Sequence, residues 1–280
     1  MRNPHPTVTA LAETLLGREE LERIRRLPIH DEGLGYDPYG LERDHVALGL
    51  ALTKPLYERW FRVVSHGIEN VPRRGRAILA ANHSGTLPFD AAMLWADVVR
   101  NVGRVPRAVA DFFVSNLPFV STLFTRAGVV GGGRANVRNL LEDEELLMIF
   151  PEGVPGIGKP FTERYQLQEW RVGHAELAIR HRAPVIPVAI VGAEEQMPQI
   201  ARLKRLGRLV GAPYVPLTLT PLPLPVRYHI HYGAPIALHE RYRRADADDP
   251  ELVREAAREV RDAVEALLEK GLRERKGIFR

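Results

Sequence analysis

The sequence predicts an α/β fold, in which a mixed, largely parallel sheet is flanked by helices and preceded by an N-terminal helical hairpin. From Arg76 onward, short apolar runs alternate with longer stretches whose apolar residues recur at helical spacing. Such alternation is typical of parallel strands joined by helices that cover the sheet. The first part of the chain carries helical spacing alone. We therefore expect an N-terminal helical element over residues 1–70 and an α/β domain over residues 71–280.

The N-terminal element is predicted to contain two helical stretches. The second is expected over about residues 43–64, with a kink at Pro55 because proline lacks a backbone N–H. An apolar stripe at four-residue spacing runs along it, formed by Leu48, Leu52, Leu56 and Trp60. Two interpretations stay open: a hairpin packed on the core, or an amphipathic helix lying in a membrane interface.

Six strands and four longer helices are predicted beyond Arg76. The predicted strands are 77–81, 105–110, 128–130, 146–150, 185–191 and 227–232. The predicted helices are 90–101, 135–142, 170–182 and 250–270.

The segment 206–225 is apolar, rich in proline and free of charge after Arg208. Its proline spacing predicts that no helix forms there. It is expected either to pack on the core as a loop or broken hairpin, or to be an exposed patch that binds a partner.

The composition is that of an ordinary globular protein, with 45% apolar and 26% charged residues. No cysteine is present, which excludes disulfides and thiolate metal sites. The N-terminus lacks the apolar core of a signal peptide, and no apolar run approaches the roughly 20 residues that span a bilayer. We therefore expect a cytoplasmic protein.

The formal net charge of +4 favours anionic partners such as phosphate-bearing substrates, an acidic membrane surface or nucleic acid. The arginine-rich stretches lack the interleaved aromatic residues of nucleic-acid sites, so no nucleic-acid partner is expected. His229 and His231 share one face of a predicted strand, which is a spacing that metals use. No acidic residue lies near them in the sequence, so no metal site is expected.

The first chemistry-bearing motif is NHSGTLPFD, residues 82–90, which directly follows the apolar run 77–81. In open α/β sheets, ligands collect beyond the carboxyl ends of the strands. A histidine held by a carboxylate is also a common general base near neutral pH. His83 and Asp90 are therefore the candidate catalytic residues.

Two further segments are candidates for substrate binding. In Phe150-Pro151-Glu152-Gly153, the flanking residues restrict Glu152, and Gly153 allows close approach of a ligand to the backbone. The alternative is a simple turn. The glycine run 131–133 precedes Arg134 and a predicted helix, so its amides and the guanidinium can hold an anion. The alternative is a flexible turn with a surface arginine.

The order of these motifs resembles that of the glycerolipid, or lysophospholipid, acyltransferase superfamily. Four blocks follow in the family's order over roughly residues 70–195: Asn-His…Asp, Gly…Arg, Phe-Pro-Glu-Gly, and an apolar strand with proline. The first and third blocks are the specific ones. The usual family spacing is His-x4-Asp, whereas here six residues, including Gly85 and Pro88, separate His83 from Asp90. This spacing leaves open whether the two side chains meet.

The resemblance implies an O-acyltransferase of the 1-acylglycerol-3-phosphate acyltransferase type. His83 would deprotonate an acceptor hydroxyl, which attacks the thioester of acyl-CoA or acyl-carrier protein without a covalent acyl-enzyme, and Asp90 would orient the imidazole. Arg134, Glu152 and Gly153 would hold the glycerol and phosphate of a lysophospholipid or other glycerolipid. No cofactor is implied beyond the acyl thioester as co-substrate.

Lys159 and Arg164 follow the third block and are candidate contacts for a donor or acceptor phosphate, with surface charge as the alternative. The apolar stripe and the segment 206–225 lead us to expect a peripheral protein on the cytoplasmic face of the cell membrane. A non-catalytic lipid- or membrane-binding protein on the same scaffold is the alternative function.

Overall fold

The computed structural model describes residues 6–31, 33–84, 86–110, 120–209 and 214–280. Its strands are β1 (Val64–His66), β2 (Ala77–Ala81), β3 (Arg107–Ala110), β4 (Val130–Gly131), β5 (Leu146–Ile149), β6 (Val185–Val191), β7 (Gln199–Leu203), β8 (Val215–Thr218) and β9 (His229–Tyr232). Its α-helices are α1 (Pro6–Leu16), α2 (Arg18–Arg25), α3 (Arg43–Pro55), α4 (Phe89–Asn101), α5 (Val120–Arg126), α6 (Arg134–Glu142), α7 (Val154–Ile157), α8 (Gly173–His181), α9 (Ala193–Gln196), α10 (Lys204–Leu209), α11 (Leu238–Arg241) and α12 (Pro250–Glu274).

Seven strands form one sheet in the order β1-β9-β6-β2-β5-β3-β4. Its neighbouring strands are parallel, except that β6 and β9 are antiparallel. The strands β7 and β8 form a separate antiparallel hairpin. The predicted mixed, largely parallel sheet flanked by helices is therefore confirmed.

The central strand β2 is buried along its whole length, and its side chains alternate between two apolar clusters. Leu79 and Ala81 join the cluster on the side of α1, α2, α3 and α4. Ile78 and Ala80 join the cluster on the side of α6, α8 and α12. Because helices cover both faces, the inner strands are continuous apolar runs. The sequence therefore predicted β2 and β6 with their observed bounds.

The N-terminal part differs from its prediction. The helix expected over residues 43–64 ends at Pro55, a π-helical turn follows over Leu56–Trp60, and β1 then pairs with β9. The core-facing side of α3 consists of Val46, Ala47, Leu50 and Ala51. The predicted apolar stripe therefore lies on another face, where Leu52 and Trp60 stay exposed.

The segment 206–225 also differs in part. Helix α10 extends into the segment and ends at Leu209. It is compatible with the proline spacing because Pro213, the first proline of the segment, comes after its end. The rest contains β8 and irregular chain, while residues 210–213 lie outside the described residues, as does Gly85. Searched over the described residues, no helix is both long and apolar enough to cross a membrane.

Candidate active site

Three adjacent central strands bring polar side chains to one edge of the sheet. The strands β6, β2 and β5 are neighbours and run parallel, so their carboxyl ends lie side by side. His83 follows β2, Glu152 follows β5 and Glu194 follows β6. The sequence motifs predicted His83 and Glu152 as site residues but not Glu194. The sequence signal for Glu194 was a carboxylate shortly after the predicted strand 185–191.

The side chains of His83 and Asp90 are in direct contact. His83 Nδ1 lies 2.6 Å from Asp90 Oδ2, and the same oxygen accepts a hydrogen bond from the amide of Ser84 at 2.8 Å. Asp90 Oδ1 accepts from the amide of Ala91 at 2.7 Å. Asp90 is the second residue of α4 and is fully buried. The turn from β2 into α4 therefore closes the six-residue gap that the sequence left open.

The imidazole of His83 is fixed on several sides. The ring of Phe150 stacks on it with centroids 4.2 Å apart, and Glu152 Oε1 accepts a hydrogen bond from the amide of His83 at 2.9 Å. Because Asp90 accepts the proton on Nδ1, Nε2 carries the lone pair. Nε2 has no hydrogen-bond partner among the described residues, and the side chain is 11% exposed. The arrangement can accept a proton from a bound group.

A buried lysine joins two carboxylates behind His83; we call Lys159, Glu152 and Glu194 the Lys159 cluster. Lys159 Nζ lies 3.4 Å from Glu152 Oε2 and 3.0 Å from Glu194 Oε1. It also donates to the carbonyl oxygen of Gln166 at 3.1 Å. Burial raises the pKa of Glu194 to about 7, although Lys159 opposes the rise. The structure therefore does not support the expected contact of Lys159 with a substrate phosphate, because its ammonium is enclosed by protein groups.

Both carboxylate oxygens of Glu152 likewise contact protein groups. Its second oxygen, Oε2, accepts a hydrogen bond from the amide of Gln168 at 2.8 Å. One carboxylate thus ties the loop after β5 to the loop after β2 and to residue 168. The structure gives Glu152 a direct part in positioning His83.

Two glycines shape the loop after β5. Gly153 has φ +58° and ψ −146°, a conformation that side chains disfavour. At Gly156, a Cβ atom would lie 2.7 Å from Glu152 Cβ and 2.9 Å from the carbonyl oxygen of His83. The loop therefore packs directly against the His83 backbone.

A cavity of about 650 Å³ opens beside Phe150 and is lined by residues of α6 and α8. The predicted residues Arg134 and Gly153 line it, together with Arg171, which the sequence analysis missed. The only sequence signal for Arg171 was a basic residue at the start of a predicted helix. Arg134 and Arg171 are exposed, and neither side chain has an ion-pair partner in the described part of the chain. Phe150 contacts both this cavity and His83.

Arg164 lies apart from these groups. It is exposed, and its guanidinium carbon is 4.6 Å from the centre of the Phe161 ring. It lines neither the cavity nor the surroundings of His83. Its position fits the alternative interpretation, in which Arg164 is a surface charge.

Three histidines, His66, His229 and His231, bring ring nitrogens within 4.8 Å of one another. Their rings are nearly parallel: His66 stacks on His231 at 4.3 Å and 9°, and meets His229 at 16°. An imidazole binds a metal ion in the plane of its ring, so one ion cannot lie in all three planes as the rings stand. Burial lowers the pKa of His231 to about 4 and also lowers that of His229. The group is a stack of three imidazoles.

The chain is similar to a known protein family, to known proteins and to a solved structure. The sequence profile of the Acyltransferase family matches residues 62–191. An uncharacterized protein of Mycobacterium tuberculosis is 37% identical over 260 residues, which cover 88% of this chain and 70% of the relative. A Homo sapiens protein described as a DGAT1/2-independent enzyme synthesizing storage lipids is 30% identical over 217 residues, which cover 75% of this chain and 62% of that protein.

Among solved structures, the chain shares its fold with the 1-acyl-sn-glycerophosphate (LPA) acyltransferase PlsC from Thermotoga maritima. The TM-score is 0.54 at 18% identity, and the superposition covers 97% of each chain. The segment matched by the family profile contains the His83–Asp90 turn, Arg134 and the Glu152 loop. By these matches, residues 62–191 belong to the Acyltransferase family, and the chain has the fold of PlsC.

Proposed function

We propose that this protein transfers a fatty acyl group from an acyl thioester, either acyl-CoA or acyl-carrier protein, to a hydroxyl of a lysophospholipid or other glycerolipid. The observation that carries the proposal is the His83–Asp90 pair. A buried carboxylate holds Nδ1 at 2.6 Å, while Nε2 has no partner among the described residues. An imidazole held in this way is suited to act as a general base.

In the proposed reaction, His83 Nε2 takes the proton of the acceptor hydroxyl as its oxygen attacks the thioester carbonyl. Asp90 stabilises the imidazolium that forms. Collapse of the tetrahedral intermediate breaks the C–S bond and leaves the new ester, and the departing thiolate takes the proton from Nε2. The nucleophile belongs to the substrate. Ser84 is not required, and its Oγ is buried without a hydrogen-bond partner in the described part of the chain.

The cavity beside Phe150 supports a location for the anionic part of a substrate. Arg134 and Arg171 both line it, and neither is neutralised by a carboxylate of the described residues. Guanidinium groups bind phosphate through paired hydrogen bonds. We assign to these two arginines the phosphate of the acceptor or of the acyl donor, with Gly153 at the same wall.

We further propose that the protein acts as a peripheral protein on the cytoplasmic face of the membrane, with no cofactor besides its acyl thioester co-substrate. Exposed leucines at several places on the surface support the first part. The human relative is described as synthesizing storage lipids. Neutral glycerolipids therefore belong beside lysophospholipids among the acceptors to be tried.

The test is a screen of lysophospholipid and neutral acceptors with radiolabelled acyl-CoA, in which the wild type is compared with His83→Ala. We expect transfer to fall by about a thousandfold or more in the variant, while the circular dichroism spectrum is retained. His30→Ala, which changes an exposed histidine, serves as the matched control and should transfer at the wild-type rate. Undiminished transfer by a folded His83→Ala protein would exclude His83 as the base.

A further inference from the structure

Exposed large apolar side chains are concentrated in one part of the surface, residues 199–209 and 214–222, which we call the apolar hairpin. It comprises β7, α10, β8 and the turn that follows. Six of its apolar side chains are between 40% and 72% exposed: Ile200, Leu203, Leu206, Leu217, Leu219 and Leu222. Single exposed leucines are common on protein surfaces, but a contiguous group of them marks an interaction surface.

The pairing of β7 with β8 places part of this group on one face. Leu203 pairs with Val215, and Ala201 pairs with Leu217, so these four side chains lie on the same side of the hairpin. A two-stranded hairpin is marginally stable by itself in water. Its exposed apolar face would therefore gain stability from a covering partner.

The charges around this group have one sign. Between Met197 and Arg227 the sequence contains four basic residues and no acidic residue. Arg202 and Arg205 are exposed in the same segment of the chain. Apolar side chains interspersed with basic ones match an anionic lipid surface. The same charges disfavour a second copy of this chain, because the two faces would repel each other.

The base of the apolar hairpin contacts the loops of the candidate active site. Gln199 Nε2 donates to the carbonyl oxygen of Gly158 at 2.8 Å, and Thr86 Oγ1 donates to the carbonyl oxygen of Met197 at 3.2 Å. Thr86 belongs to the turn between His83 and Asp90. A surface held by the apolar hairpin would therefore lie next to His83.

We propose that the apolar hairpin inserts its leucines into the headgroup region of an anionic bilayer and so places the membrane beside His83. The proposal rests on the proposed function only for its purpose, which is delivery of a lipid acceptor. The hairpin contributes apolar burial, and its arginines contribute attraction to anionic lipids. The other exposed leucines of the protein are not required.

The test is flotation with vesicles of phosphatidylcholine and phosphatidylglycerol in equal parts. The variant Leu219→Asp/Leu222→Asp is compared with the wild type and with Leu34→Asp, which changes a leucine that is 57% exposed elsewhere on the surface. We expect the partition coefficient of the double variant to fall at least about tenfold, because two inserted apolar groups are replaced by charges that anionic lipid repels. The Leu34→Asp protein should float like the wild type.

Two results would overturn the proposal. One is flotation of the double variant equal to that of the wild type. The other is a wild-type dimer that needs these leucines and does not bind vesicles, which would assign the face to a second copy. The proposed transferase activity is tested separately from membrane binding. His83→Ala should still float with the vesicles. The double leucine variant should still acylate a short-chain, water-soluble lysolipid at the wild-type rate.

Discussion

Asp90 is a fully buried carboxylate that accepts hydrogen bonds from three neighbouring groups. They are the imidazole of His83 and the amides of Ser84 and Ala91. The two amides hold the carboxylate in place independently of the histidine, so its position does not depend on a flexible contact. In the proposed mechanism, this fixed negative charge selects the Nδ1–H tautomer of His83.

The substitution Asp90→Asn tests this role. Asparagine retains an oxygen for the amide of Ala91, but its NH₂ group replaces the oxygen that faces His83 Nδ1 and the amide of Ser84. That NH₂ group favours the tautomer in which Nε2 carries the proton. We expect kcat to fall by about a hundredfold to ten-thousandfold, with a loss of about 1–2 kcal/mol in unfolding free energy. Steady-state kinetics and urea unfolding measure the two effects. Asp143→Asn, at an exposed carboxylate that accepts from Tyr39, is the control, and equal kcat for both variants would contradict the role of Asp90.

The sequence predicted His83 and Asp90 as candidate catalytic residues, but their contact could not be predicted. The motif identified the residue types at a strand end. Their separation depends on how the chain turns between β2 and α4, which a count of intervening residues does not specify. Arg134 and Gly153 were also predicted from motifs, and both line the cavity beside Phe150. Arg171 was missed because a single arginine before a helix carries no distinguishing pattern.

Gly156 limits how closely the loop after β5 packs beneath His83. A Cβ atom there would lie 2.9 Å from the carbonyl oxygen of His83 and 3.1 Å from its Cβ. We expect Gly156→Ala to shift His83, to reduce kcat at least about tenfold and to cost about 1–3 kcal/mol of unfolding free energy. Gly131→Ala is the matched control, because no heavy atom lies within 4 Å of its added Cβ. Wild-type kinetics in Gly156→Ala would mean that the loop yields without moving the imidazole.

At the scale of elements, the Lys159 cluster joins the loop after β5 to the start of α9. Glu194 Oε2 accepts from the amide of Tyr165 at 2.9 Å, while its Oε1 meets Lys159 at 3.0 Å. The ammonium of Lys159 and two buried carboxyl groups thus hold in place a segment that has little regular structure of its own. The sequence could not predict this cluster, because its members come from two separate strand ends and a loop.

Removal of the central cation is expected to be severe. Lys159→Met leaves the carboxylates of Glu152 and Glu194 buried without compensation, which costs about 3–5 kcal/mol of unfolding free energy. The double variant Lys159→Met/Glu194→Gln removes one of those charges, so it should be more stable than the single variant. Urea unfolding of the wild type, both single variants and the double variant measures the coupling. Simple additivity of the two single effects would show that the charges do not interact.

The raised pKa of Glu194 makes this cluster pH-sensitive. Between its ordinary value of 4.5 and its folded value of about 7, the folded protein retains a proton on Glu194 that the unfolded chain releases. The unfolding free energy contributed by this group therefore falls as pH rises through that window. Glu194→Gln cannot titrate, so the stability of the variant minus that of the wild type should rise by about 1–3 kcal/mol from pH 4.5 to pH 7.5. A constant difference, measured by urea unfolding across this range, would contradict the pKa assignment.

At the scale of the whole molecule, the strand order decides where the candidate site lies. The apolar runs of β2, β5 and β6 predicted these central strands, and their parallel arrangement gathers His83, Glu152 and Glu194 at one edge. The edge strand β1 was not predicted, because its three residues carry no apolar run and follow a helical pattern. Its pairing with β9 is a long-range contact that local sequence does not indicate. The division of the chain at residue 70 stays a prediction.

The contacts of the N-terminal part predict that residues 71–280 will not fold alone. Phe61 is fully buried and stacks on Tyr228 with centroids 4.6 Å apart. The buried carboxylate of Asp97 accepts from Tyr57 and Ser65 as well as from Tyr232. A fragment that begins at residue 71 loses Phe61, two donors to Asp97 and the strand that pairs with β9. Each lost buried partner costs about 1–3 kcal/mol, and the core contact costs a further 3–5 kcal/mol, which together reach the roughly 5–15 kcal/mol that stabilises a domain.

Expression of residues 71–280 beside the whole chain tests this expectation. The fragment should lack a cooperative thermal transition by near-ultraviolet circular dichroism, because its core is opened on one face of the sheet. The full chain with Tyr57→Phe is the mild comparison, since it removes one of the hydrogen bonds to Asp97 and keeps the packing. We expect that variant to remain folded with a loss of about 1–2 kcal/mol in unfolding free energy. A fragment that unfolds cooperatively near the Tm of the whole chain would instead establish the N-terminal 70 residues as a separate unit attached to an autonomous acyltransferase domain.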